Sequence, residues 1–373
     1  LKFWLDNGSL CDPSIAGLSY RDISGKIIHN SEHPPIKDMD IIPSRYKGFH
    51  TEKNKIYGLE TARGCYNRCG YCSLGGMSFR THSVEYVLNE IDHMAEAGVK
   101  MIFFYDCSFT FNQHRMELIS RKLAHYGIRY LCCVEAEELN EEMIDILLET
   151  GAIKIEFGLQ TTNPYALKLM NRKCDLDLFE RNVHLFMSRC KEYDAEVNID
   201  VICGLPGDNL QTFCQSMDFV YKLKPHRISA IPLLLLPGTD FFVNREKYGF
   251  KFIPFTKEQR NVKSRYNMDI CGLVLENMTF PRNELDKGKS ICLFNKLLRN
   301  TKYTKLTYEI LDKNNITFTQ FYNTIEKYLS ESFYDCLETD NDSSKSSQYV
   351  NSISEAFFKY NIAMNKKDNW KEA

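Results

Sequence analysis

Three cysteines lie close together in the stretch Gly64-Cys65-Tyr66-Asn67-Arg68-Cys69-Gly70-Tyr71-Cys72. Spacings of four and three residues, in a loop with Gly64 and Gly70, let three thiols converge on one centre. Thiolates held this way bind zinc or an iron–sulfur cluster. A structural zinc site needs four closed ligands, and His82, after Gly75-Gly76, is the available candidate for a fourth. A 4Fe-4S cluster held by three cysteines instead leaves one iron open to a small molecule. Spacing alone leaves both readings open, together with a chance grouping.

The elements that must position this loop follow from periodicity. Strand-like apolar runs fall at 56–61, 100–106, 128–134, 152–159, 196–203 and 227–233. Helical patterns separate them at 83–97, 112–126, 140–150, 163–192 (read as two helices) and 208–223. Ser83 and Asn140 are suited to cap the helices that follow them. Six such units in a row predict a parallel sheet with helices outside it and right-handed crossovers. Within the fourth strand Ile153, Ile155, Phe157 and Leu159 share one face, and Lys154, Glu156, Gly158 and Gln160 share the other. In the fifth, Val197, Ile199, Val201 and Cys203 oppose Asn198, Asp200, Ile202 and Gly204. A sheet covered on both sides would show near-continuous apolar strands. One apolar face and one polar, glycine-bearing face predict a partial barrel with a ligand inside. The fold class expected is α/β, a partial (β/α)6 barrel with an N-terminal linker and a mainly helical C-terminal extension. The cysteine loop follows the first strand directly, at the end where barrels of this kind keep their sites.

In this setting the residues resemble those of a known family. Cys-x3-Cys-x-aromatic-Cys after the first strand, here Cys65, Cys69, Tyr71 and Cys72, is similar to the signature of the radical S-adenosylmethionine (SAM) superfamily. The resemblance covers roughly 55 to 240. It implies a 4Fe-4S cluster on Cys65, Cys69 and Cys72, with SAM chelating the open iron. Reductive cleavage of SAM then gives a 5′-deoxyadenosyl radical that abstracts hydrogen from a substrate. Tyr71 is placed to lie against adenine. Asp106, ending the second strand, stands where the family contacts the methionine moiety, although the common Gly-Gly-Glu is replaced here by an Asp followed by Phe. Glu156 and Gln160, in Glu156-Phe157-Gly158-Leu159-Gln160, resemble the ribose and amino-acid contacts. The run from Asp200 to Asp208 resembles the motif whose backbone around Ile202 and Gly204 passes the adenine, and Leu236-Pro237-Gly238-Thr239 matches a sixth-strand ending of the same branch. Structural alternatives stand beside two of these: Asp106 as a cap for the helix at 112–126, and Lys154–Glu156 as an inward pair.

The flanks extend the reading. The first part of the chain, 1–54, is expected to be a linker: Ser24-Gly25 suits a hairpin turn, and Pro34-Pro35 and Pro43 suit extended chain. Gly17 to Asp22, Gly25 to Asn30 and Asp38 to Pro43 resemble the bridge between a cobalamin-binding domain and a radical barrel. The bridge stands here without that domain, which either precedes Leu1, where the chain opens in what reads as the end of a helix at 1–5, or has been lost. Asp92-His93 lacks the spacing of a cobalt-ligand motif. The resemblance implies cobalamin-assisted methyl transfer, with radical rearrangement, cyclisation or oxidation as the alternative. The barrel is expected over 55–250 and the extension over 251–373, with helices near 284–299, 303–313, 316–330 and 351–365 and a mobile Ser/Asp/Asn stretch at 339–348.

Composition bounds the rest. The 373 residues carry fourteen cysteines, 43% hydrophobic residues and near-balanced charge, 47 Lys plus Arg against 49 Asp plus Glu. A disulfide framework belongs to small secreted chains without a core, so the remaining thiols, Cys132-Cys133 among them, are read as core residues of a cytoplasmic protein. Balanced charge points away from nucleic acid. The longest apolar run, 228–236, is too short to span a bilayer as a helix and contains Pro232. The partners expected are a small-molecule or peptide substrate and, by resemblance, reduced flavodoxin or ferredoxin as electron donor. The rival reading is a zinc-stabilised scaffold using His82.

Overall fold

The expected alternation builds one sheet in the computed structural model, which describes residues 15–52, 55–254, 272–299 and 303–329. Its six parallel strands are β3 (Tyr57–Leu59), β6 (Met101–Phe104), β7 (Arg129–Val134), β8 (Ala152–Gln160), β9 (Glu196–Cys203) and β10 (Arg227–Pro232). They lie side by side in chain order from β3 to β10, without a reversal. A sheet in chain order has no topological switch point, so the strands curl into part of a barrel, and their carboxyl ends share one rim.

Helices return the chain between strands: α1 (Val84–Glu96), α2 (Gln113–His125), α3 (Glu141–Glu149), α4 (Pro164–Leu169), α5 (Leu176–Arg189) and α6 (Leu210–Leu223). Each begins on a side-chain cap, respectively Ser83, Asn112, Asn140, Asn163, Asp175 and Asn209, whose oxygen accepts a backbone N–H of the first turn. Such a cap contributes about 1 kcal/mol. The stretch read as two helices breaks at Asn171, whose φ of +54° no helix accommodates.

The strand faces divide as the period of two requires. Ile155, Phe157 and Leu159 on β8, and Val197, Ile199, Val201 and Cys203 on β9, are fully buried against the helices, while Ile153 near the start of β8 is half-buried. The two edge strands are covered rather than left bare. The Tyr46 hydroxyl donates to the carbonyl of Gly58 on β3 (2.5 Å). On β10, Asn295 Nδ2 donates to the carbonyl of Ile228 (2.9 Å) from α7 (Arg282–Arg299), which packs along the strand. Side-chain covers of this kind blunt a sheet edge against pairing with another chain.

Residues 1–43 and 44–373 form two compact units. The first holds the hairpin of β1 (Ser19–Arg21) and β2 (Ile27–His29). Its turn forms where Ser24-Gly25 predicts it: Gly25 takes φ +82°, and Asp22 Oδ1 accepts from the backbone of Ser24 and Lys26. Past the barrel, helices run over Arg282–Arg299, Tyr303–Asn314 and Phe318–Ile325. The structure adds a small antiparallel sheet that the reading of this region as helical leaves out: Leu234–Leu235, Gly272–Glu276 and Lys251–Pro254, with the middle run at its centre. Strands this short show no pattern until their distant partners are known. The expected helices at 1–5 and 351–365 and the stretch at 339–348 fall outside the described residues. Among those described, no helix is long and apolar enough to cross a membrane.

Candidate active site

The cysteine loop follows β3 and is pinched at its base by a two-residue ladder between β4 (Ala62–Arg63) and β5 (Arg80–Thr81), Ala62 opposite Thr81 and Arg63 opposite Arg80. Gly64 makes the first bend at φ +83°, and a Cβ there would stand 2.4 Å from the carbonyl oxygen of Ser78, so no other residue fits. Farther along, Gly70 N–H donates to the carbonyl of Met170 (2.8 Å), and its own carbonyl accepts from Phe241 N–H (2.9 Å). The loop is thus tied to the end of α4 and to the segment beyond β10.

Each of the three sulfurs has its own hydrogen-bond donor. Asn67 N–H points at Cys65 Sγ (3.3 Å), Leu74 N–H at Cys72 Sγ (3.4 Å), and the Arg172 guanidinium at Cys69 Sγ (4.0 Å). Donors so placed favour thiolate, and they are also the groups that tune a cluster's sulfur ligands. A hydrogen bond from Cys107 lowers Cys65 to about 7, whereas burial raises Cys69 and Cys72.

All three cysteines line one cleft of about 270 Å³. Tyr71, Asp106, Glu156 and Gln160 line it too, so seven of the nine residues expected from the sequence come together. Ile202 and Gly204 are not among its walls. Ile202 is buried, and Gly204, at φ +93°, offers its carbonyl to Asn277 Nδ2 (2.8 Å). His82 is also apart: it is buried and stacked on Tyr86, ring centroids 4.2 Å apart. Among the described residues no set of three or more His, Cys, Asp or Glu side chains is gathered to hold a single metal ion. A cubane asks for something different, one thiolate on each of three irons, and the donor set and room of this cleft fit that.

Asp106 does more than face the cleft. Its carboxylate accepts from Thr61 N–H (2.8 Å), Ala62 N–H (3.1 Å) and the Thr61 hydroxyl, clamping the start of the cysteine loop to the end of β6. Asn112, not Asp106, caps α2. Burial nevertheless outweighs those donors and raises Asp106 to about 6. Glu156 is paired with Lys154 (2.5 Å) and accepts from the Cys133 thiol (3.6 Å). Asp200, raised to about 6 by burial and then by Glu156, accepts from Asn198 Nδ2 (2.7 Å). Gln160 sits at φ +71°, where the β8–β9 register shifts, which aims its amide back over Gly158. A non-glycine residue in this region is held there by its surroundings at a cost in backbone strain.

Two wall residues escape the sequence reading, Arg172 and Glu135. Arg172, with a side chain only 6% exposed, donates to Glu135 Oε2 (2.6 Å) and to the carbonyl of Gly158 (2.5 Å). Its Nε has no partner among the described residues, an unusual state for a buried donor. The available signal was position: Glu135 directly follows the third strand, at the rim where such barrels work.

Residues 59–220 match the family model of the radical SAM superfamily. An uncharacterised methyltransferase of Pyrococcus horikoshii is 31% identical over 170 residues, 42% of this chain and 37% of that protein. The ribosomal protein uS12 methylthiotransferase RimO of Clostridioides difficile is 27% identical over 185 residues, 46% of this chain and 41% of that protein. The chain therefore spans less than half the length of these relatives. Among solved structures, the radical SAM methyltransferase TsrM of Kitasatospora setae superposes with a TM-score of 0.58 at 15% identity, covering 78% of this chain and 63% of that one. The cobalamin-dependent SAM radical enzyme OxsB gives 0.57 at 14%, covering 99% and 62%. At such identities the likeness speaks for the fold. The similarity to the radical SAM superfamily thus spans residues 59–220, which carry the three-cysteine loop at the rim of the partial barrel.

Proposed function

We propose that this chain is a radical enzyme that holds a 4Fe-4S cluster on Cys65, Cys69 and Cys72 and reductively cleaves SAM beside it. The observation that carries the reading is the triad itself: three sulfurs, each with its own donor, facing one cleft that also contains a buried guanidinium with an unpartnered Nε. When bound, the reduced cluster and SAM supply a 5′-deoxyadenosyl radical that takes hydrogen from a substrate.

The chain's own residues bind and orient. Arg172 offers its free Nε–H to the methionine carboxylate, and Glu135 balances its charge and takes the ammonium side. Tyr71 lies along the adenine. Glu156 and Gln160 meet the ribose and amino-acid hydrogen-bonding groups, Gln160 from its constrained backbone. Asp106 positions the loop by holding Thr61 and Ala62. Enclosure by these walls keeps water from a reactive carbon radical.

The reaction we infer is methyl transfer assisted by cobalamin held outside residues 55–250. Its support is the resemblance of 17–43 to a cobalamin-domain bridge, together with similarity to a Pyrococcus horikoshii methyltransferase and the shared fold of TsrM and OxsB. Anaerobic reconstitution of the protein should give about four irons per chain, and dithionite with SAM should release 5′-deoxyadenosine. Cys65→Ala, Cys69→Ala and Cys72→Ala should each lose the iron, while His82→Ala retains it. A colourless protein with one zinc, lost in His82→Ala, would overturn the cluster. For the methyl branch, protein supplied with cobalamin should form S-adenosylhomocysteine beside 5′-deoxyadenosine. Formation of 5′-deoxyadenosine with no S-adenosylhomocysteine would return the reaction to rearrangement, cyclisation or oxidation.

A further inference from the structure

The inner face of the sheet divides by chemistry. On β8, β9 and β10 it is polar: Lys154 pairs with Glu156 (2.5 Å), Asn198 Nδ2 donates to Asp200 Oδ1 (2.7 Å), and Ser229 Oγ donates to Asn198 Oδ1 (2.9 Å). At the end of β6 it is aromatic. Ile102 and Phe104 are fully buried, so by alternation Phe103 and Tyr105 take the inward side. Both line the cleft that the triad faces. The Cys133 thiol, bonded to Glu156, marks the boundary between the two halves.

Tyr105 differs from its neighbours in this wall. Phe104 is fully buried and Phe103 half-buried, whereas Tyr105 is 56% exposed. Its ring is nonetheless seated. Gly58 on β3 lies directly against it: a Cβ there would stand 1.9 Å from Tyr105 Cε2 and 2.4 Å from Cζ, so only a bare backbone lets the ring rest on the strand. Gly58 has no left-handed backbone to explain its glycine, so the close approach is the reason for it. Phe103 meets the ring edge-on, with centroids 5.6 Å apart and planes at 77°. Backbone thus covers one face of the Tyr105 ring and Phe103 steadies it, while the exposed area leaves the opposite face open.

We propose that the open face of Tyr105 is a stacking platform for a planar aromatic ring of the substrate, whose polar group turns towards the β8–β10 side. The inference rests on the radical reading above and names the class of molecule brought to that cleft. Ligand sites combine aromatic walls with a few placed polar groups, and the division of this inner face supplies both. Ring faces and edges attract one another beyond the area they bury. A fixed ring therefore selects a planar partner over a puckered one of equal bulk. A sugar or a phosphate would gain nothing from the ring, and an aliphatic chain would gain nothing from its orientation.

The experiment uses two neutral probes of one skeleton, 2-naphthol, which is planar, and decahydro-2-naphthol, which is puckered. Their binding to the anaerobically reconstituted protein is titrated by saturation-transfer NMR, with and without SAM, and needs no turnover. Wild type should prefer 2-naphthol by about three- to tenfold, with SAM present as well as absent. Tyr105→Phe keeps the ring and should keep that preference. Tyr105→Leu keeps apolar bulk without the ring, and the preference should vanish; thermal melts confirm that this exposed position leaves the fold intact. Equal binding of the two probes to wild type would overturn the proposal, as would a preference that survives in Tyr105→Leu. Displacement of 2-naphthol by SAM would also overturn it, since the ring would then belong to the SAM seat. The two readings fail separately. A protein that forms a cluster and 5′-deoxyadenosine but shows no planar preference sinks the platform alone. One that shows the Tyr105-dependent preference yet binds no iron supports the platform and condemns the cluster.

Discussion

Arg172 and Glu135 form a buried pair across the rim of the barrel, one from the turn after α4 and the other from the end of β7, 37 residues apart in sequence. The pair fixes the guanidinium where it touches both Cys69 and the carbonyl of Gly158. Removing one partner of such a pair leaves the other charged and buried, a loss of about 3–5 kcal/mol. Arg172→Ala should therefore lower the melting temperature of the metal-free protein and weaken SAM binding. Arg172→Lys keeps the charge but not the fork, so it should retain most stability while SAM affinity falls about tenfold or more. Calorimetry of SAM binding, beside thermal melts, checks both. Wild-type SAM affinity in Arg172→Lys would remove Arg172 from the binding role.

Asp106 gives a prediction that separates positioning from ligand contact. Its three accepted hydrogen bonds hold Thr61 and Ala62, and a buried donor stripped of its acceptor costs about 1–3 kcal/mol. Asp106→Ala should thus destabilise the protein before any cofactor is added. A residue serving only SAM would leave the metal-free melt unchanged. Asp106→Asn, which keeps one acceptor oxygen, should fall between the two.

Asp200 carries a pH signature. Its folded pKa of about 6 lies above the ordinary 3.8 because burial and the neighbouring Glu156 disfavour the charged form. The sign follows: the folded state holds the proton more tightly than the unfolded chain, so stability is greatest below about 4 and is lost as pH rises towards 6. The difference between 3.8 and about 6 corresponds to roughly 3 kcal/mol at most. Asp200→Asn should melt higher than wild type at pH 7.5, with the gap closing as pH approaches 4. A gap that stays constant with pH would show that the ionised carboxylate is not the cost.

Much of this arrangement can be read from residue order because it is set locally. The period of two in 152–160 and 196–203 already decides which side chains face inward, and caps such as Ser83 and Asn140 already place the helix starts. The triad needs only eight residues and a strand before it. What is not legible depends on distant segments meeting. Nothing in 129–135 says that Glu135 will face Arg172, and Asp106 looks equally suited to a helix cap until β3 and β6 lie side by side. Ile202 and Gly204 share a face with Asp200 by alternation, yet they do not line the cleft: Ile202 is buried and Gly204 turns at φ +93°, approached by Asn277 and Leu285 from beyond the barrel. The short sheet of Leu234–Leu235, Lys251–Pro254 and Gly272–Glu276 likewise exists only through pairing across dozens of residues.

Gln160 offers the sharpest trade between stability and function. Its φ of +71° costs a residue with a side chain about 1–2 kcal/mol relative to the right-handed regions, and the shifted β8–β9 register at this point holds it there. Gln160→Gly relieves that strain but adds backbone freedom to the unfolded chain, so the melt should be unchanged or slightly higher. SAM affinity should nonetheless drop several-fold, because the amide is gone. Gly158→Ala provides the converse test. A Cβ at 158 would lie 2.6 Å from Gln160 Nε2, so the amide must swing away while the strained backbone remains. That variant should also bind SAM more weakly, with no gain in stability. If Gln160→Gly instead bound SAM as wild type does, the left-handed backbone would be a feature of the strand end alone, and Gln160 would leave the set of SAM contacts.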